Sequence, residues 1–441
     1  MTIAALLVAA AIGLASPADL VARLGSTRYA DRERATADLE RLGREALPAL
    51  RRAGEARDPE IRQRAALLVG RIERQRLTRS TPVALALRDA PIGVALETLE
   101  TRTGFTVRVD PAADPSWKGR RVTLTTAEPI PFWQAMDRLC QAGGLRQGAS
   151  PPLADRNDPA IRLVPGDPET FPTSYSGPFR VRLTGLHRQK GPIPAASATL
   201  VARIELCAEP GLSVAPANSL RLRTAVDDRG QAMFPARVRE ATTTFPGARR
   251  DPEDDGSTIF WNVPLRLPEA PGQRMERLRG EVTVSIVARQ SDPTVLPLAD
   301  LEGKTFPVGD DSVRVERIVQ DEGLQGGRNS PVIILLQIVR TSVPVDAPFP
   351  MIRNQRKPMA TLSVAARRTL KQIEFVDARG HSCEQGVPPT SVRNWPGGER
   401  FVVQVHPTPG AGGGPPSALR VHDLIQANAD VTFDFAKVPI P

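Results

Sequence analysis

Three of the chain's four histidines, His381, His406 and His422, fall near its C-terminal end, close in sequence to Cys383 and Glu384. Imidazole, thiolate and carboxylate are zinc ligands, and three or four of them meeting at one point would make a metal-dependent hydrolase. Their spacing argues against such a meeting, because His381-Ser382-Cys383 is the one close pair and the paired short spacings of zinc sites are missing. Histidines on strands or on the surface are the simpler reading. Gly303-Lys304-Thr305 has the end of a phosphate loop, but Leu298 stands where that loop needs its first glycine, and no helix is expected after it. The Gly410–Gly414 run lacks GxGxxG spacing and reads as a flexible loop. There is no HExxH, no GxSxG and no kinase set. Asp227-Asp228, Asp254-Asp255 and Asp310-Asp311 sit in turn-like contexts, where aspartate is favoured for backbone reasons, and EF-hand spacing is absent. Cys140, Cys207 and Cys383 are an odd number and far apart, so they make no disulfide framework. A Cys207–Cys383 bridge is open in an oxidising compartment, and buried inert thiols are the simpler alternative. The sequence thus assigns no catalytic, cofactor-binding or metal residue, and no cofactor.

The elements around these residues are of several kinds. At 441 residues the chain exceeds one ordinary core, so three or four compact units are expected. Hydrophobic residues at 41% and charged residues at 24% fit a folded chain. The 43 prolines are concentrated after position 150, which suits short strands joined by stiff loops and marks a first boundary. The net charge of +9 permits an acidic partner, nucleic acid or cell-wall glycan among them. In residues 17–78, however, fourteen arginines alternate with ten carboxylates, as on ordinary solvated helix faces. Aromatics for base stacking are few, which argues against a nucleic-acid stripe. Ile3–Ala15 is apolar or glycine and runs into Ser16-Pro17, as an export signal over residues 1–16 would, although no lysine or arginine precedes it. The stretch is too short to span a bilayer, so the mature chain is expected to carry no transmembrane span and to act in the periplasm or at the cell surface.

Residues 17–78 have helical spacing. Ile61, Ala65, Leu68 and Ile72 make one apolar stripe behind an Asp58-Pro59 start. Upstream, Ala35, Leu39 and Leu42 mark a helix ended by Gly43, and Ala46, Leu47, Leu50 and Ala53 mark another. The run from Leu42 to Leu50 and the run from Asp58 to Ala66 resemble a HEAT-type helical repeat. That resemblance implies about one and a half repeats, fewer than the roughly three a solenoid needs, so the segment should lean on its neighbour.

From Val83 to Leu145 strand, helix and strand spacing occurs twice. Val83, Leu85 and Leu87 alternate, Asp89 is read as capping a helix with Ile92, Ala95, Leu96 and Leu99, and Gly104 ends it before a strand at Phe105–Val109. The second copy has Val122 and Leu124, then Phe132, Ala135, Met136 and Leu139, and stops at Gly143-Gly144. Strand positions match at an offset of 39 residues and helix positions at 40, so this is an internal duplication with one inserted residue. Two helices on one face of a small sheet are expected. The segments Val83–Ile92 and Val122–Ala135 resemble the short N-terminal domain of secretins and TonB-dependent receptors, with Ile161–Val164 as a closing strand. The resemblance implies a periplasmic module, spanning 80–165, that contacts protein. No membrane barrel of either family is foreshadowed downstream.

After a polar linker from Gln147 to Asp158, spacing becomes period two. Candidate strands are Phe179–Leu183, Leu200–Leu206, Leu220–Val226, Ile259–Leu267, Val282–Ala288, Ser312–Val319, Val332–Val339, Gln372–Val376, Phe401–Val405, Ala418–Leu424 and Val431–Phe435. Val226-Asp227-Asp228-Arg229-Gly230-Gln231 recurs as Val376-Asp377-Ala378-Arg379-Gly380-His381, 150 residues on. Two related β-sandwich-like domains, 175–320 and 321–441, are the economical expectation. The fold class expected is therefore multidomain: a short HEAT-like helical segment, a small βαββα module and two β-sandwich-like domains. The function expected is a non-catalytic exported envelope protein, a protein-binding or scaffold module with a protein partner. Its rivals are a metal-dependent hydrolase using His381, Cys383, His406 and His422, and a binder of anionic polymer.

Overall fold

The computed structural model describes residues 16–109, 117, 119–148, 160–189, 199–234, 243–245, 256–290, 293–309, 311–320, 332–340, 369–370, 372–386, 391–395, 398–409 and 413–441. The expected export signal, apart from Ser16, and the linker from 149 to 158 lie outside them. The chain is mixed α and β, and its contacts divide it into two compact units, 1–79 and 80–441. No helix among the described residues is long and apolar enough to cross a membrane.

The first unit consists of α1 (Pro17–Arg23), α2 (Tyr29–Leu42), α3 (Leu47–Ala53) and α4 (Pro59–Thr78). Several boundaries have a local cause. Ser16 and Asp19 form a reciprocal capping box at α1, and the Asp58 carboxylate accepts from Glu60 N at 2.8 Å at the start of α4. Gly43, at φ +56°, closes α2 in a conformation that costs a residue with a Cβ. Leu20, Leu24, Leu39, Leu47, Leu50, Leu68 and Ile72 are buried together. Each such side chain contributes about 1.5–3 kcal/mol. Glu73 is buried in α4 and is charge-paired with Arg51 of α3 at 2.5 Å.

The second unit begins with β1 (Pro82–Val83), β2 (Ala86–Pro91), α5 (Ile92–Thr103), β3 (Val107–Val109), β4 (Arg121–Thr125), β5 (Ile130–Pro131), α6 (Phe132–Gly143), β6 (Leu145–Gln147) and β7 (Ile161–Pro165). The strands form three short ladders rather than one sheet. β2 pairs antiparallel with β4, β1 with β5, and β7 lies between β3, to which it is parallel, and β6. Asp89 does not cap α5. It sits in β2 at φ +45°, where the register with β4 shifts, and pairs with Arg121, while Pro91 precedes the helix. A helix entered directly from a strand through proline has its first N–H groups satisfied elsewhere, and Ile92 N donates to Arg120 O at 2.9 Å. The duplication is exact in the helices: Pro91 and Pro131 precede them, and Gly104 and Gly144 end them in the left-handed region.

The β region has β8 (Thr173–Ser176), β9 (Phe179–Gln189), β10 (Thr199–Ala208), β11 (Leu212–Pro216), β12 (Leu220–Asp227), β13 (Thr243–Phe245), β14 (Thr258–Arg266) and β15 (Arg274–Arg289). It continues with β16 (Thr294–Pro297), β17 (Thr305–Val308), β18 (Asp311–Gln320), β19 (Val332–Arg340), β20 (Ile373–Asp377), β21 (Cys383–Gly386), β22 (Ser391–Trp395), β23 (Gly398–Pro409), β24 (Pro416–Val421) and β25 (Leu424–Pro439). One sheet has the order β14-β10-β9-β8, and a second joins β11, β15, β12 and β13. Further on, β17-β18-β19-β23 and β16-β24-β20 enclose a separate core of Val313, Ile334, Leu336, Ile338, Phe375 and Leu419.

Pairing crosses the division expected at 320/321. β25 leaves the second core and lies antiparallel to β15 along its whole length, from Leu424 opposite Arg289 to Pro439 opposite Arg274. At the other end of the division, β16, β17 and β18 pair with strands of the second core although they precede residue 321. A Cβ at Gly280 would collide with the Phe433 ring, so glycine there lets the last strand lie close to β15.

Candidate functional site

Charge is deeply buried where α6 meets β8 and β9. Arg180 of β9 is 2% exposed, and its guanidinium donates to Asp137 Oδ1 at 2.6 Å and to Gln147 Oε1. It stacks over the Trp133 ring with its Cζ 4.1 Å from the centroid. The Tyr175 hydroxyl of β8 donates to the other Asp137 oxygen at 2.8 Å. Burial works against the Arg180 charge, but the Asp137 carboxylate, with Cys207 and Glu205, outweighs it and holds its pKa above the usual range. Burial and the same carboxylate push the Tyr175 phenol up as well. Beside them, Cys207 of β10 is buried in the core of the α/β module. A second tie joins the module's start to the β region: the buried Glu209 accepts from Thr81 N at 2.9 Å and from Thr81 Oγ1 at 2.7 Å. These groups fix two parts of one unit to each other.

The paired turns come next. Asp227 Oδ1 accepts from Arg229 N and Gln231 N, and Oδ2 from Gly272 N at 2.9 Å. Asp377 repeats the pattern with Arg379 N and His381 N, and Gly414 N at 3.0 Å. Gly230 at φ +74° and Gly380 at φ +83° turn the chain, and isolated bridges Val226–Ala232 and Val376–Ser382 close the turns. In each case the carboxylate ties a turn to the glycine just before a neighbouring strand, β15 or β24. Donation from Gly414, His381 and Arg379 N–H groups, against the effect of burial, holds the Asp377 carboxyl well below the usual range. For Asp227 burial is likewise outweighed by the N–H groups of Gly272, Gln231 and Arg229. Of the aspartate pairs seen in the sequence, 254–255 and residue 310 lie outside the described residues. A shallow cavity of about 280 Å³ opens beside the second turn, lined by Asp377, Arg379, Gly414 and Ser417 among others.

The C-terminal histidines go to different partners. His381 Nδ1 lies 3.1 Å from Asp377 Oδ2, at an exposed position. His422 is buried, with Nε2 2.9 Å from Glu374 Oε2 and Nδ1 3.1 Å from the Gln290 carbonyl. His406 pairs through its backbone with Gly386, and its side chain and that of Glu384 lie outside those described. Among the described residues, no three His, Cys, Asp or Glu side chains could hold one metal ion. Gly303 N donates to Val315 O in a turn that leads into β17, so a strand and not a helix follows the glycine-lysine-threonine run.

Glu374 carries a pH prediction. Burial raises its carboxyl, but hydrogen bonds from His422 and Ser382 and the charge of Arg289 outweigh this and bring it down to about 2 from 4.5. A carboxyl lower in the folded state stabilises fully above its unfolded value, and this contribution is lost as pH falls through the folded one. Wild-type stability is therefore expected to fall more steeply between pH 4.5 and about 2 than that of Glu374→Gln. Calorimetric melts across that window check it, and parallel curves would contradict it.

All three cysteines are free and buried, and Cys207 and Cys383 belong to different cores, so the bridge left open by the sequence is not formed. Burial pushes Cys140 up to about 12, with Asp137 adding to it, and pushes Cys207 and Cys383 each up to about 11. Native protein at pH 8 is expected to resist a thiol-specific chromogenic reagent at these three sites and to react fully in denaturant. Fast reaction of one thiol before unfolding would refute the assignment.

Arg180, Asp137, Trp133, Tyr175, Cys207 and Glu209 were not legible as a set. Arg180 alternates with the inward Phe179 and Val181, which by period two puts it on a solvent face. The one sequence cue is that β10 is apolar at seven of its ten positions, with Val201 and Cys207 out of phase with Leu200, Ala202, Ile204 and Leu206. No known protein family, curated protein or solved structure matches the chain.

Proposed function

We propose that the chain is a non-catalytic, exported bacterial envelope protein that serves as a protein-binding or scaffold module. In this reading residues 1–16 are an export signal, 17–78 a HEAT-like helical segment and 80–165 a module similar to the short domain of secretins and TonB-dependent receptors. The remainder is two β-sandwich-like domains, the last strand of the chain completing the first. The observation that supports it best is where the ionisable side chains are spent. Asp227 and Asp377 accept backbone N–H groups, Asp137 and Arg180 neutralise each other between α6 and β9, and His422 and Glu374 brace the passage from β24 to β25. Side chains used this way hold a framework in one shape, which suits a platform for partners better than a site that must exchange protons.

The matched turns at Asp227 and Asp377 support two related β domains, because the same three-N–H cradle recurs at the same place relative to strand, glycine and next strand. The test is crosslinking of the full-length protein in the bacterial envelope, followed by mass spectrometry of purified adducts and of the mature amino terminus. One specific protein partner and loss of residues 1–16 are expected. Adducts at background level, or an intact amino terminus in cytoplasmic protein, would overturn the reading.

A further inference from the structure

The forty-residue repeat equates α5 with α6 position by position. Ile92, Ala95, Leu96 and Leu99 match Phe132, Ala135, Met136 and Leu139, and all eight are buried. The same offset equates the outward faces of the two helices. On α6 that face carries Trp133 and Asp137, and it is covered by β8 and β9, whose Arg180 and Tyr175 satisfy Asp137. On α5 the matching positions are Gly93 and Glu97. Nothing lies within 4 Å of a Cβ placed on Gly93, and the neighbouring Val94 is 49% exposed. Glu97 is exposed, and its carboxylate has no hydrogen bond or ion pair among the described residues. The outer face of one copy is thus covered, and that of the other is open among the described residues.

We infer that the outer face of α5, formed by Gly93, Val94 and Glu97, is the docking surface for an extended segment of a partner protein that presents an arginine. The chemistry of the occupant follows from the covered twin. There the carboxylate takes an arginine and a tyrosine hydroxyl from facing positions of the β8–β9 hairpin, and the Trp133 ring lies beneath the guanidinium. On α5 the carboxylate is retained one methylene longer, so it reaches further from the helix. The ring is replaced by open space over Gly93 that a partner's side chain can enter, and Val94 supplies the apolar contact beside it. Charge complementarity sets the register, and apolar contact around it excludes water. The inference rests on the reading that the α/β module contacts protein, and adds the face and the chemistry.

The probe is a synthetic peptide of residues 173–183, which carries Tyr175 and Arg180. The tethered copy of this segment holds the α6 site at an effective concentration no free peptide can match, so the free peptide is left with α5. The full chain is prepared with a photoreactive phenylalanine analogue in place of Val94 and irradiated with labelled peptide. An adduct is expected, reduced about fivefold or more by Glu97→Arg in the protein or by Arg180→Glu in the peptide, and regained when both reversals are combined. Absence of an adduct at millimolar peptide, or an adduct indifferent to both reversals, would overturn the inference. In the envelope, the same photoreactive group is placed at Val94 and, separately, at the exposed Val295. A partner caught from Val295 and not from Val94 would sink the α5 surface and leave the scaffold reading standing. No partner from either position would count against both.

Discussion

Replacing Arg180 by alanine is expected to destabilise the unit from Ser80 to Pro441 by about 3 kcal/mol, the lower end of the cost of removing one partner from a buried ion pair, because the Asp137 left behind is 32% exposed. The substitution leaves Asp137 with the Tyr175 hydroxyl and whatever water its 32% exposure admits, and Gln147 loses its donor. It also removes the cation from the Trp133 face, an interaction that gains from the absence of water. Urea unfolding followed by tryptophan fluorescence reads the change, with Trp133 reporting locally. A double variant, Arg180→Met with Asp137→Leu, is expected to recover most of the loss, since apolar side chains of similar volume often replace a buried pair at little cost. A loss below about 1 kcal/mol in the single variant would show that the pair is solvated and that the joint is held by other contacts.

Phe433→Ala in β25 is expected to cost about 3–5 kcal/mol, as large-to-small changes of buried aromatic residues do. Phe433 and Phe435 are both buried, with ring centroids 5.3 Å apart, and Phe433 lies across Gly280 where no other side chain can fill the gap. The neighbouring Asp434 is a built-in control. It points to the opposite face and pairs with Arg277 in solvent, so Asp434→Ala should change stability far less. Equal effects of the two changes in parallel urea titrations would mean that β25 is not packed as described. Because β25 completes a sheet begun some two hundred residues earlier, the Phe433→Ala loss should appear in the transition of β9–β15 as well as that of the C-terminal strands.

Much of the local structure was readable without coordinates. The stripe from Ile61 to Ile72, the Asp58-Pro59 start, the stop at Gly43 and the forty-residue offset between α5 and α6 all follow from rules that operate within a few residues. The long alternating segments likewise fall on strands, since burial of one face imposes period two wherever a sheet has a wet side. Short strands such as β11, β16 and β21 carry too few residues for a period to show, and Asp89 misled because a good cap residue can serve as well in a strand bulge.

What the sequence by itself determined is the order of regimes along the chain, helical, then mixed, then alternating, because hydrophobic spacing is read against the geometry of one element at a time. What only the tertiary structure decided is which faces are covered and which strands meet. Arg180 has the spacing of a surface residue and is buried because α6 packs over that side of β9. β25 has the spacing of any sheet strand and returns to β15 because hydrogen bonding between strands is blind to their distance in sequence. The same blindness leaves the outer face of one twin helix covered and that of the other open among the described residues, although their buried stripes match position by position.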